Sequence, residues 1–118
     1  MNHIKRREIW LVSLDPVIGH EVSKTRPAVI IQNDLGNEYS PITIIAPITS
    51  QKLDKIYPIE VLLTPENSGI EKKSKVLLNQ VRAVDKRRLV RKVGFIDDKT
   101  MAHVDDALKI SLGLERIS

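Results

Sequence analysis

Few side chains in this sequence can do chemistry unaided, and their spacing limits which chemistry is open. The histidines, His3, His20 and His103, stand far apart without metal-ligand spacing. No HExxH, no CxxC and no two-metal carboxylate cluster accompanies them. Cysteine is absent, which removes disulfide scaffolds, thiolate metal sites and a cysteine nucleophile. There is no Gly-x-Ser-x-Gly elbow for serine catalysis, and Gly36 and Gly69 are isolated turn glycines rather than a phosphate-cradling loop. An enzyme built from these residues is expected to work with no metal and no cofactor. What remains is polar density between apolar runs: His20, Glu21, Thr25, Arg26, Asn33, Asp34, Thr49, Ser50, Gln51 and Gln80. Arg26 precedes Pro27, whose fixed φ stiffens the start of the next strand and aims the guanidinium. Taken singly, each has an ordinary reading. Arg26 could be a surface arginine or a partner of Glu21, Thr49 a turn hydroxyl, and Gln80 an exposed residue on the solvent face of a strand.

The elements that must position these residues change character along the chain. Ile9–Val12, Ala28–Ile31 and Ile42–Ile45 are short β-branched runs bounded by turn residues. Ile59, Val61 and Leu63 alternate as a half-buried strand, and Val76 through Val84 reads as one longer strand. Five such strands cannot leave long edges exposed, so a small barrel or strongly curved sheet is expected. Pro47 cannot donate to a ladder, which predicts a strand end or bulge there. Asp85 suggests a cap for a short helical turn through Lys92. After Asp97 or Asp98, Met101, Val104, Leu108 and Leu112 follow helical spacing and Gly113 stops it. Residues 13–26 and 49–57 form connections long enough to be functional.

The chain has 118 residues and a mass of 13.4 kDa, which fits one domain over 1–118 able to fold without staples. Hydrophobic residues make up 42% and charged residues 29%, the balance of a folded soluble protein. No apolar run approaches the roughly 20 residues of a membrane helix. Lys5-Arg6-Arg7 is followed by too short an apolar stretch for a signal peptide, so a cytoplasmic location without membrane contact is expected. Nineteen basic against fifteen acidic residues give a net charge of +4, a mild lean toward a polyanionic partner. Arg82, Lys86, Arg87, Arg88, Arg91 and Lys92 crowd one stretch, with Lys72, Lys73 and Lys75 nearby. Such runs are commonly solvated faces. The aromatics Trp10, Tyr39, Tyr57 and Phe95 are too few for an extended base-stacking platform.

Several ordered blocks carry a resemblance. Glu8-Ile-Trp-Leu-Val-Ser-Leu-Asp-Pro, Gly19-His-Glu and Thr25-Arg-Pro-Ala-Val-Ile-Ile-Gln-Asn-Asp resemble the MazF/PemK family of toxin endoribonucleases. The likeness continues through Ser40-Pro, Ala46-Pro-Ile-Thr-Ser-Gln, Val76-Leu-Leu-Asn-Gln-Val-Arg-Ala-Val-Asp and Asp105-Asp-Ala-Leu-Lys-Ile-Ser-Leu-Gly. It implies a mainly β fold with some α: a small SH3-like barrel of the MazF/CcdB type with a C-terminal helix. It also implies a homodimer that cuts single-stranded RNA and is neutralised by a cognate, MazE/PemI-like antitoxin lying across the RNA site. By the same resemblance, the arginine of the Arg-Pro motif falls on Arg26 and the catalytic threonine on Thr49. The histidine and acid that some members implicate fall on His20 and Glu21. Asn33, Ser50 and Gln80 match positions that line the RNA groove, and Gln51 extends the same block. Val22-Ser23-Lys24 departs from the family pattern, where many relatives have glycines.

Resemblance and elimination converge on one chemistry. RNA carries its own nucleophile, so a ribonuclease can cleave without metal by 2′-hydroxyl attack on the adjacent phosphorus. An arginine matches phosphate geometry and stays charged, but is a poor base. Proton removal then needs His20 or Glu21. Two other readings stay open at this stage: a binding-only toxin on the same barrel, such as the gyrase inhibitor CcdB, and an RNA-binding module without catalysis.

Overall fold

Runs of β-branched residues between turn formers become β1 (Glu8–Ser13), β2 (Thr25–Ile30) and β3 (Ile42–Thr49). The later strands are β4 (Glu60–Leu63), β5 (Ser74–Leu77), β6 (Arg82–Asp85) and β7 (Leu89–Phe95). Among the described residues three α-helices join them: α1 (Asp34–Tyr39), α2 (Pro65–Ser68) and α3 (Asp98–Ser111). The computed structural model describes residues 3–14, 19–20 and 24–117.

The antiparallel ladder runs β4-β5-β3-β2-β1-β7, with β6 also on β3. No ladder joins β6 to β7, yet one 3-10 turn (Lys86–Arg88) carries the chain from one to the other. The sheet therefore curls into a barrel-like form whose ladder stays open. Ile4, Trp10, Val12, Leu14, Ala28, Ile30, Ile45, Val84 and Leu89 fill one core. The opposite faces of β1–β3 contribute Ile9, Val29, Ala46 and Ile48 to a second core with β4, β5 and α3. Burial on both faces explains why these strands read as near-continuous apolar runs rather than alternating ones.

Pro47 sits inside β3, not at an end or bulge. Ile44 presents its carbonyl to β2, where it accepts from the Ile31 N–H at 2.9 Å, so by alternation Pro47 faces the other side. On that side β6 pairs with β3 from Ile42 as far as Ile45, and β5 takes over from Ile48. The missing N–H thus falls in the gap between two partners, where no ladder bond is lost.

The expected strand from Val76 to Val84 is two strands. The chain turns after Leu77, whose carbonyl accepts the Gln80 N–H at 3.2 Å, because Asn79 and Gln80 have no apolar side chain to bury. The helical turn after Asp85 also stops early. Asp85 accepts from the Arg87 N–H at 2.8 Å, but from Leu89 the chain pairs with β1, giving seven strands among the described residues instead of the expected five. Pairing with β1 and burial of Leu89 outweigh local preference here. Gly94 permits close packing at this strand: a Cβ there would stand 2.5 Å from the Ser68 carbonyl oxygen at the end of α2.

Asp97 caps α3, its carboxylate accepting the Thr100 N–H at 2.8 Å. Met101, Val104 and Ala107 bury against the second core, each larger side chain contributing roughly 1.5–3 kcal/mol. Leu112 continues the sequence stripe but lies past the helix end, 60% exposed, and Gly113 follows at φ +75°. Arg6 pairs with Asp105 and Arg7 with Asp98, which straps the N-terminal segment to α3.

Candidate active site

Where β2 starts and β3 ends, a groove of about 920 Å³ opens at the sheet surface. Leu11, Pro27, Ile48, Ile70 and Val93 form its apolar floor, and Arg26, Thr49, Ser50 and Gln51 stand in its wall. Strand register explains the meeting of the first two. β2 and β3 pair Ala28 with Pro47 and Val29 with Ala46. Continuing that offset toward the open ends sets Arg26 across from Thr49, on one face. Arg26 is half-buried and its backbone pairs with Val12 of β1. Pro27 beside it fixes φ, so the guanidinium departs from a stiff base. The Thr49 hydroxyl oxygen accepts the Gln51 N–H at 3.2 Å, which leaves the hydroxyl proton to donate into the groove.

Lys72, Arg91 and Lys92 join Arg26 around this space, with Glu71 as the one carboxylate among the described lining residues. Four cations around an apolar floor suit a chain of phosphates with stacked or apolar groups between them. Lys92 also bonds the Glu8 carboxylate at 3.2 Å, and the other oxygen of Glu8 accepts from the Trp10 indole N–H at 3.0 Å. The basic stretch is thus divided. Arg82 donates to the Leu14 carbonyl at 3.3 Å and Arg88 to the Ser13 carbonyl at 3.1 Å, holding the end of β1. Lys86 binds the Asn37 carbonyl and Arg87 pairs with Asp85. Arg91 and Lys92 alone of this stretch reach the groove. Sequence reading grouped all six; what separates the last two is their place on β7, laddered to Leu11 and Trp10 of β1, whereas Arg82 lies on β6 and Lys86–Arg88 form the 3-10 turn between.

The other candidates fall elsewhere. Asn33 lies beyond the far end of β2, roughly 20 Å along the strand from Arg26. Its side chain caps α1 by accepting the Gly36 N–H at 2.8 Å. Gln80 is half-buried in the turn between β5 and β6 and does not line the groove. His20 is exposed on a turn beside Gly19, outside the groove's described lining. Glu21 lies outside the described residues. No three His, Asp or Glu side chains among the described residues gather to hold a metal ion.

Fold and groove together define a small curled β-sheet protein with a cationic cleft at its rim. Residues 5–112 match the family described as PemK-like, MazF-like toxin of type II toxin-antitoxin system, and the chain belongs to that family. It is 42% identical over 111 residues to the endoribonuclease EndoA of Bacillus subtilis (strain 168), covering 94% of this chain and 96% of that protein. The crystal structure of MazF from Deinococcus radiodurans is similar with a TM-score of 0.81 and 25% identity, covering 96% of this chain and 99% of that one. A mycobacterial endoribonuclease, solved in complex with its cognate antitoxin, shares the fold with a TM-score of 0.79 at 18% identity, over 97% of this chain and 99% of that one.

Proposed function

We propose that this chain is the toxin of a type II toxin–antitoxin pair and acts as a sequence-specific endoribonuclease on single-stranded RNA. The observation that carries the reading is the groove in which strand register brings Arg26 opposite Thr49, in a chain of this family. In the proposed reaction the 2′-oxygen attacks the adjacent phosphorus and the bond from phosphorus to the 5′-oxygen breaks. The products are a 2′,3′-cyclic phosphate and a 5′-hydroxyl. Arg26 stabilises the charge that builds on the phosphoryl oxygens, and the Thr49 hydroxyl orients the phosphate by a hydrogen bond. A base removes the 2′-hydroxyl proton and an acid gives a proton to the leaving 5′-oxygen; His20 and Glu21 are the candidates. Ser50, Gln51, Arg91 and Lys92 hold the flanking nucleotides. Asn33 and Gln80 belong to this reading only if RNA extends well beyond the groove.

The reading includes a homodimer, an acidic antitoxin segment that competes with RNA for the cationic groove, and action in the cytoplasm, where the substrate is. No described helix is long and apolar enough to cross a membrane. The decisive substrate has one 2′-deoxy nucleotide immediately 5′ of the scissile phosphate. It should bind and stay intact while its all-ribose counterpart is cut to a 5′-hydroxyl end, with or without chelator. A 5′-phosphate product, or cutting of the deoxy substrate, would overturn the mechanism. RNA that is bound and never cut would favour the binding-only alternatives.

A further inference from the structure

We infer that Lys75 is a positioning residue whose buried ammonium clamps the loop of residues 50–59 and thereby sets which bases the groove accepts; the inference rests on the ribonuclease reading above. Lys75 stands opposite Thr49 in the ladder between β3 and β5. A lysine on a strand ordinarily carries its charge out to water. Here the side chain is only 5% exposed. Its Nζ donates to the Lys52 carbonyl at 2.9 Å, the Lys55 carbonyl at 3.3 Å and Glu60 Oε1 at 2.9 Å. An ammonium has three protons, and all three have acceptors.

The loop is shaped around this charge. Lys52 adopts φ +54°, a conformation uncommon for a residue with a side chain, at the point where its carbonyl meets Nζ. Glu60 Oε1 also accepts the Tyr57 N–H at 3.0 Å, and the Glu60 N–H donates to the Tyr57 carbonyl at 2.8 Å. The start, the middle and the return of the loop therefore converge on one ion pair. A buried pair stabilises a fold little better than apolar side chains of the same volume. What it does, and apolar packing would not, is hold two named carbonyls in one arrangement. The first residues of the clamped loop are Ser50 and Gln51, both in the groove wall and directly after Thr49. Base readout depends on where such side chains stand, so Lys75 acts on specificity through a loop without touching RNA.

The test uses the full chain with both charges removed together, Lys75→Met with Glu60→Gln, so that no lone buried charge remains. Circular dichroism and thermal unfolding establish that the variant is folded. Amide exchange over residues 50–58 should quicken. On an oligonucleotide carrying the parent's preferred site, KM should rise roughly tenfold while kcat changes far less, as expected for lost substrate binding. Mapped ends on a long RNA should show a broader base preference. Lys75→Arg keeps the charge, but its planar fork cannot meet both carbonyls and Glu60; it should broaden the preference too, and it serves if the double variant does not fold. Unchanged KM and unchanged cleavage preference in a folded variant would overturn the inference and leave the ribonuclease reading standing. Failure of the parent protein to cut RNA would instead strike that reading, and the inference with it.

Discussion

The Arg26 backbone has little freedom, because it is laddered to Val12 and followed by Pro27, so the side chain departs from a fixed point at the groove. That rigidity makes it suited to a charge that exists only in the transition state. Replacing it with alanine should lower single-turnover cleavage by about 10²-fold or more, the scale of losing one such stabiliser. Arg26→Lys should recover little, since an ammonium lacks the bidentate fork. Thr49→Ala should also slow the step while leaving the melting temperature near that of the parent. At this scale the sequence was legible where chemistry and local stiffness coincide, as at Arg26-Pro27, or where candidates are contiguous, as at Thr49-Ser50-Gln51. Asn33 shows the limit. An amide that caps a helix and an amide that lines a groove are the same residue type, and Asn33-Asp34 before a short helix fits the first as well as the second.

Among the elements, β7 is held by contacts that a local sequence window does not contain. Its alternation is interrupted by Arg91 and Lys92, both of which line the groove, and its pairing with β1 has register shifts. A period count misses such a strand. Gly94 was equally silent, because its reason is the Ser68 carbonyl on a different element. Gly94→Ala should destabilise by about 1–3 kcal/mol through that clash, measurable by denaturant unfolding. It should also disturb the groove, since Gly94 and Gly69 both line it. The helix termini were more readable, and Asp97 ties α3 to pH. Hydrogen bonds from the Thr100 side chain and backbone hold its carboxyl below the usual aspartate range. Stability from this cap is therefore full above about pH 4, near the unfolded value. It is lost as pH falls through the lower folded value. Asp97→Asn keeps the acceptor and loses the titration, so its acid-unfolding curve should be shallower than the parent's.

The whole molecule presents four groove cations to its substrate and carries several large apolar side chains in water, Leu35, Tyr39, Leu114 and Ile117 among them. RNA affinity should therefore fall steeply and log-linearly with salt, and Arg91→Ala should flatten the slope with little change in base preference. Light scattering at micromolar concentration should report twice the chain mass; a monomer there would remove the dimer from the proposed function. One strand, β3, gives this molecule its order of opening. It is the seam between two systems of pairing, with β2 along one side and β6 then β5 along the other, changing partner at Pro47. A fluctuation that peels away β4 and β5, or one that frees β6, breaks only half of what holds it. Local opening should then run inward from either margin, with the central amides of β3 exchanging last and only with global unfolding. Thr49 does not share that protection evenly: its ladder partner is Lys75 of β5, so release of β6 leaves the residue opposite the guanidinium anchored, whereas opening at the β4–β5 margin lets it go first.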